Sequence, residues 1–272
     1  MAMAIHPNAI VEDGAKLGDE VEVGPFCFVG RNAGLADGVR LVSHVAVMGR
    51  TEIGARTVVH PGAVLGNEAQ IRGGNALDAR LVIGEDNIIR EGVTMNAGSA
   101  KGHGVTKIGA RGYFMAACHV GHDCEVGDDV TMANGVLLAG HVEVGDGAIF
   151  GGLAAVQQFA RIGKGAMLGG LSGANNDVIP YAMAIGMHAK LTGLNVVGLK
   201  RRGVTRSGLH QMRAAFQEIF LAEGGSVGER AAAARAKYPD MPQIVEICDF
   251  ILAPSKRQVC GARSHGHEAD DA

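Results

Sequence analysis

With 272 residues and 47 % hydrophobic content, the chain has room for one large domain or two modest ones around a buried core, which excludes a disordered protein. A formal net charge of −3 argues against a nucleic-acid binder and leaves any charged partner to a local patch. No basic, apolar leader opens the sequence and no apolar run nears the ~18 residues that span a bilayer, so a cytoplasmic protein without a transmembrane segment is expected.

Gly supplies 42 residues, while aromatic residues make up 4 % and Trp is absent. That bias points to tight backbone geometry and small core side chains. The five Cys show neither CxxC spacing nor a secretory context and are expected as reduced thiols.

From Ile5 onward an apolar residue recurs at every sixth position. The first run is Ile5, Val11, Leu17, Val23, Val29, Leu35, Leu41, Val47, Ile53, Val59 and Leu65; Ile83, Ile89 and Met95 follow an interruption. After a second one come Ile108, Phe114, Val120, Val126, Met132, Leu138, Val144, Phe150, Val156, Ile162 and Leu168, making 25 hexads. The second position is Gly in 13 of them, and the fifth is small or β-branched, as at Ala9, Val21, Cys27, Ala63, Cys118, Cys124 and Ala148. A helix needs a period near 3.6 and an ordinary strand a period of 2, so neither explains a strict six. The pattern predicts a parallel β-helix over residues 1–190, each hexad giving one short strand and one corner and three hexads one coil. Coils stacked at about 4.8 Å give a prism of roughly eight coils, about 40 Å long. The second-position Gly are expected to relieve unusual dihedrals at the corners.

Two insertions, 67–82 and 101–107, must leave the prism as loops, a usual place for function. Beyond the hexads, Leu209, Met212, Phe216, Ile219 and Phe220 recur at helical spacing, as do Ile244, Ile247, Cys248 and Ile251, with Gly224, Gly225 and Pro239 as breakers. Residues 191–255 are therefore expected as a C-terminal helical domain, and 256–272, without any periodicity, as a disordered tail.

Positions one coil apart share a face. Gly140 lies one coil beyond His122, His141 one coil beyond Asp123, and Gln158 beyond Gly140, with His119 just before. A base adjoining a carboxylate and a Gly amide is what acyl transfer to an alcohol needs. Isolated His residues, His103 among them, are expected to be structural, and Cys27, Cys118 and Cys124 to pack in the core.

The stretch Met115-Ala-Ala-Cys-His-Val-Gly-His-Asp-Cys124, the segment Leu138-Ala-Gly-His141 and Gly193-Leu-Asn-Val-Val-Gly-Leu-Lys-Arg-Arg-Gly203 carry a resemblance. Through them the chain resembles the UDP-N-acetylglucosamine O-acyltransferase family that opens lipid A biosynthesis. The resemblance implies a left-handed β-helix and a homotrimer with active sites between subunits. It also implies transfer of a 3-hydroxyacyl chain, carried on the phosphopantetheine of acyl carrier protein, to the 3-position of a UDP-sugar, without a further cofactor or metal. By resemblance His122 is the general base, Asp123 its partner and the Gly140 amide the oxyanion donor. His119 and His141 line the groove, Asn195 and Arg201 meet the nucleotide or pantetheine arm, and Gly170 sits where the acyl chain ends. The basic run Lys200, Arg201 and Arg202 is expected to meet the carrier protein or phosphates.

The chain departs from the family pattern around the sugar. Gln157 stands where the family has a His, Val197 where it has an acidic residue, and Ile71 and Gly73 where an Asp and a Lys grip the acceptor, leaving Arg72 as the nearby cation. A 3-amino acceptor, giving an amide, is therefore an alternative. A metal-dependent hydratase that recruits His119, His122 and His141 is a remote one.

Overall fold

The computed structural model describes residues 4–73 and 78–263. Most hexads form a strand of only two residues, such as Phe28–Val29, ending on the first-position apolar residue. Successive hexads turn a corner and join three different sheets of 11, 9 and 8 strands, here called first, second and third. Between the hexad strands of each sheet the pairing is parallel and advances by one coil, as in Glu22 to Arg40 and Arg40 to Val58. The result is a left-handed parallel β-helix.

First-position side chains point inward and stack. Val23, Leu41, Val59, Ile89, Phe114, Met132, Phe150 and Leu168 form one such ladder inside the first sheet, each at most 1 % exposed. Burying a side chain of this size is worth roughly 1.5–3 kcal/mol, so each coil holds its neighbour. The fifth-position residues Val21, Cys27, Ala63 and Cys118 are buried as well, so in these repeats two buried residues flank a more exposed one.

The second-position Gly are needed for another reason than the expected one. A Cβ on Gly24 would lie 1.8 Å from the Val42 carbonyl oxygen, and one on Gly54 2.4 Å from the Gly84 carbonyl carbon. These Gly let the backbone of one coil rest on the next. The left-handed dihedrals fall instead on the fourth position, borne by non-Gly residues including Glu20, Phe26, His44, Asp123, His141 and Phe159.

The last strand of the first sheet, Lys190–Leu194, is antiparallel and runs across the expected domain boundary at 190. Four helices follow among the described residues: α1 (Val196–Arg201), α2 (Arg206–Phe220), α3 (Val227–Lys237) and α4 (Pro242–Leu252). Thr205 caps α2, Ser226 and Glu229 form a capping box on α3, and Pro242 starts α4. Helix α3 carries no apolar period, because its buried residues are only Ala231 and Ala234. Helix α4 docks through Phe250, whose ring lies 4.2 Å below the Arg161 guanidinium, while Arg161 also pairs with buried Asp177 at 2.7 Å.

The expectation of a disordered tail from residue 256 fails for 256–263. Asp177 donates to the Gln258 carbonyl and accepts from Cys260, Leu191 donates to Gly261, and Arg263 donates to Leu191. Cys260 is buried beneath this segment. Residues 264–272 lie outside the described residues.

Candidate active site

Both insertions leave the prism at the same corner. The first runs from strand Val64–Asn67 to Arg80–Ile83 and the second from Thr94–Asn96 to Val105–Ile108, each passing from the second sheet to the third. They touch where the Lys101 ammonium donates to the Arg72 carbonyl at 3.1 Å. His122 and Asp123 occupy this corner one coil further on, between strands His119–Val120 and Glu125–Val126.

The Asp123 carboxylate has no exposed surface and lies 2.8 Å from His122 Nδ1. It also accepts from the Ser99 amide at 3.1 Å, the Ser99 hydroxyl at 2.6 Å and the Gly104 amide at 2.9 Å. Burial raises its pKa, but the hydrogen bonds from Ser99, His122 and Gly104 outweigh that and hold it below the usual carboxylate value. An ionised carboxylate only accepts, so His122 Nδ1 carries the proton and Nε2 is left with its lone pair. That nitrogen faces Gly140, whose hypothetical Cβ would fall 2.4 Å from it. Among the described residues the Gly140 amide donates to no acceptor.

His141 sits beside the pair, its ring meeting that of His122 edge-on with centroids 5.0 Å apart. Its Nε2 is 3.8 Å from Asp123 Oδ2. On its other side Phe159 stacks at 4.5 Å, and the Lys256 ammonium stands 4.0 Å above the Phe159 ring. Burial lowers the His141 pKa; Asp123 opposes this, and His122, His103 and Lys256 add to it. His119, pointing outward from the second sheet, shares a 2.7 Å hydrogen bond with Thr94, and burial lowers its pKa too. His103, expected to be structural, belongs to this neighbourhood, since its Nε2 lies 3.1 Å from the Asp123 carbonyl oxygen.

Gln157 and Gln158 are exposed on the same corner, with the Gln158 carbonyl accepting from Arg257 at 2.9 Å. The other expected residues lie elsewhere on the prism. Gly170 is at the corner between the first and second sheets. Asn195 caps α1 through Gly198 and donates to the Gly165 carbonyl, while Arg202 reaches the carbonyls of Asp146 and Gly147. This sets Asn195, Lys200, Arg201 and Arg202 at the corner between the third and first sheets. One chain therefore gathers the residues expected as base, partner and oxyanion donor, but not those expected to bind the donor arm.

Sequence reasoning missed Ser99, Gly104, Phe159, Lys256 and Thr106, whose hydroxyl accepts from the Asp123 amide at 2.8 Å. The loop offered a signal in Gly98, Gly102 and Gly104, and a Cβ on Gly102 would strike the Asp123 carboxylate at 2.3 Å. His122, Asp123 and His141 each offer a ligand atom within 4.8 Å of the others, a spacing a metal could use. Both Asp123 oxygens are already engaged by the loop, which suits a base-orienting carboxylate better than a ligand. The thiols are no nucleophiles: burial pushes Cys124 up to about 12.

This geometry agrees with sequence similarity. A relative from Sinorhizobium fredii named acyl-[acyl-carrier-protein]--UDP-N-acetylglucosamine O-acyltransferase is 49 % identical over 96 % of this chain and 97 % of its own. The chain belongs to the UDP-N-acetylglucosamine O-acyltransferase family. A relative of the same name from Azorhizobium caulinodans is 51 % identical over 94 % of each chain. The family model described as UDP N-acetylglucosamine O-acyltransferase, domain 2, matches residues 177–260, and one described as the GMPPB C-terminal domain matches 3–104. Among solved structures, the UDP-N-acetylglucosamine acyltransferase from Campylobacter jejuni superposes with a TM-score of 0.89 at 34 % identity, covering 95 % of this chain and 100 % of its own. LpxA from Acinetobacter baumannii gives 0.90 at 33 % identity, covering 94 % and 99 %.

Proposed function

We propose that this family member transfers an (R)-3-hydroxyacyl chain from acyl carrier protein to the 3-hydroxyl of UDP-N-acetylglucosamine, the first step of lipid A biosynthesis. The observation that carries the reading is the buried Asp123-His122 pair, with His122 Nε2 turned to Gly140. His122 Nε2 takes the proton from the sugar hydroxyl as its oxygen attacks the thioester carbonyl. A carbon-oxygen bond forms, and the oxyanion accepts a hydrogen bond from Gly140 N–H. The intermediate collapses, the carbon-sulfur bond breaks, and His122 returns the proton to the leaving thiolate of phosphopantetheine. Asp123 fixes the tautomer and stabilises the imidazolium that forms in between. No step calls for a cofactor beyond the carrier's own phosphopantetheine arm.

A homotrimer belongs to the same proposal. Leu137 on the second sheet and Leu153, Leu171 and Met187 near the corner beside it are 49 %, 63 %, 70 % and 82 % exposed, an apolar strip that a second copy would cover. Packing there would set the Gly170 region of one subunit near a groove shared with the next. Among the described residues no helix is long and apolar enough to cross a membrane, and we place the enzyme in the cytoplasm with its carrier protein.

The test is a transfer assay with purified acyl carrier protein thioesters, offering UDP-N-acetylglucosamine and its 3-amino analogue in competition. The relatives are named O-acyltransferases, which favours the hydroxyl. A kcat/KM higher for the amine would move the assignment to amide formation despite those names. Transfer to neither acceptor, together with activity that requires a divalent metal, would favour the hydratase reading instead.

A further inference from the structure

The residues from 254 to 263 leave α4 and return along the β-helix, held by backbone hydrogen bonds to Asp177 and Leu191. At the start of this strap, Arg257 Nε donates to the Gln158 carbonyl at 2.9 Å, which anchors the segment directly above the second-to-third corner. That anchor places the Lys256 ammonium 4.0 Å above the centroid of the Phe159 ring. The opposite face of the same ring is covered by the His141 imidazole, stacked at 4.5 Å and 15° from parallel. His141 in turn meets His122 edge-on at 5.0 Å and comes within 3.8 Å of the carboxylate that orients His122. A continuous line of contacts thus joins an exposed Lys in the C-terminal strap to the catalytic pair.

We infer that Lys256 is a positioning residue of the active site: seated on Phe159, it holds His141 in the stack and so reserves Asp123 for His122. The inference rests on the function proposed above. Its physical basis is competition between two imidazoles for one carboxylate. Asp123 Oδ2 is the shared acceptor, 2.8 Å from His122 Nδ1 and 3.8 Å from His141 Nε2. A protonated His141 would turn toward Asp123 as a charged donor and take up the lone pairs that fix the tautomer of His122. The groups acting on His141 are Asp123, which favours its protonated form, and His122, His103 and Lys256, which oppose it, in addition to its burial. Of these groups, Lys256 is the one that also touches the Phe159 ring on which His141 stacks. A cation on the outer face of Phe159 also fixes that ring, since the ring face is negative and attracts it. The ring so fixed is the wall against which His141 rests.

The experiment compares the full-length wild type with Lys256→Met, Lys256→Arg, Phe159→Leu and the Lys256→Met/Phe159→Leu double variant. Steady-state transfer is measured alongside the titration of His141 followed by NMR of the imidazole nitrogens. Lys256→Met should lower kcat about threefold to tenfold with both KM values unchanged, and should move the His141 titration to higher pH. Lys256→Arg should restore both. Once Phe159 is replaced, removing Lys256 should cost less activity than in the wild-type background, because the ring contact is gone and only the charge of Lys256 still acts on His141. Wild-type kcat and an unmoved His141 titration in Lys256→Met would overturn the inference, as would a loss that Lys256→Arg fails to restore. Absence of transfer by the wild type would instead overturn the proposed function, so the two failures are told apart.

Discussion

Gly140 stands against His122 so closely that a single methyl group would lie 2.3 Å from the Cε1 of its ring. Because Gly140 has no left-handed dihedral, Gly140→Ala adds no backbone strain of its own and acts through this contact and the placing of the Gly140 amide. The imidazole must move or the corner must open. We expect a loss in kcat of about a hundredfold or more with a folded protein by circular dichroism. Gly152 occupies the same third position at another corner, where a Cβ meets nothing nearer than 3.5 Å, so Gly152→Ala should be silent.

His122→Ala should reduce kcat by roughly 10²–10⁴ in a folded protein of only modestly lower thermal stability, because Asp123 keeps its bonds from Ser99 and Gly104 when the His122 bond is lost. Near-normal turnover by the variant would remove His122 from the mechanism.

Asp123 links the site to acid stability. Its pKa is depressed in the folded chain, so its contribution is complete above the unfolded value of about 3.9 and is lost as pH falls through the folded value. Asp123→Asn should flatten the stability curve in that acidic window while lowering kcat at neutral pH. Denaturant melts from pH 2 to 7 would measure it; parallel curves for variant and wild type would contradict the assignment.

At Gly170 a Cβ would meet only the Gly152 carbonyl, at 3.3 Å, so larger side chains fit with a small adjustment. Gly170→Met should shift preference to shorter acyl chains, since each CH₂ denied burial forfeits about 0.8 kcal/mol. An unchanged chain-length profile would take Gly170 out of the acyl groove.

Arg202 is occupied by the carbonyls of Asp146 and Gly147, which leaves Arg201 as the better probe of the basic run. A cavity beside it between α1 and α2 is lined by Lys200, Arg206, His210 and Arg213. Arg201→Glu should raise KM for the acyl carrier protein thioester more than it lowers kcat. Light scattering on the same samples should give three times 28.0 kDa, and a fully active monomer would refute the trimer.

The sequence was most legible where its period was strict. Six-residue spacing between Ile5 and Leu168 aligns His122, Gly140 and Gln158 on one corner, and Asp123 with His141. It named the second-position Gly correctly but misjudged their task, because the approach of Gly24 to Val42 depends on how tightly coils rest on one another. Ser99, Gly104 and Lys256 were invisible for a different reason. Ser99 is an ordinary small fifth-position residue of the Met95 hexad, Gly104 and Lys256 lie in an insertion and a tail with no period, and only the closed corner shows that these segments converge on Asp123 and Phe159. Helix α3 escaped because Ala supplies little hydrophobic contrast.

The fourth-position column has a consequence for how catalysis arose here. Asp123, His141 and Phe159 hold a backbone conformation that costs about 1–2 kcal/mol for residues with a Cβ. Glu20, Arg56, Arg111 and Leu153 hold it too, far from any chemistry. The strain is thus an expense of architecture, spread evenly along the molecule, and the acid-base centre required no backbone invention of its own. Every rung presents outward side chains at comparable stations. What sets one rung apart is the second excursion between sheets two and three, whose Ser99 and Gly104 donate to Asp123, so the surroundings of the pair can change with that excursion while the ladder beneath remains untouched.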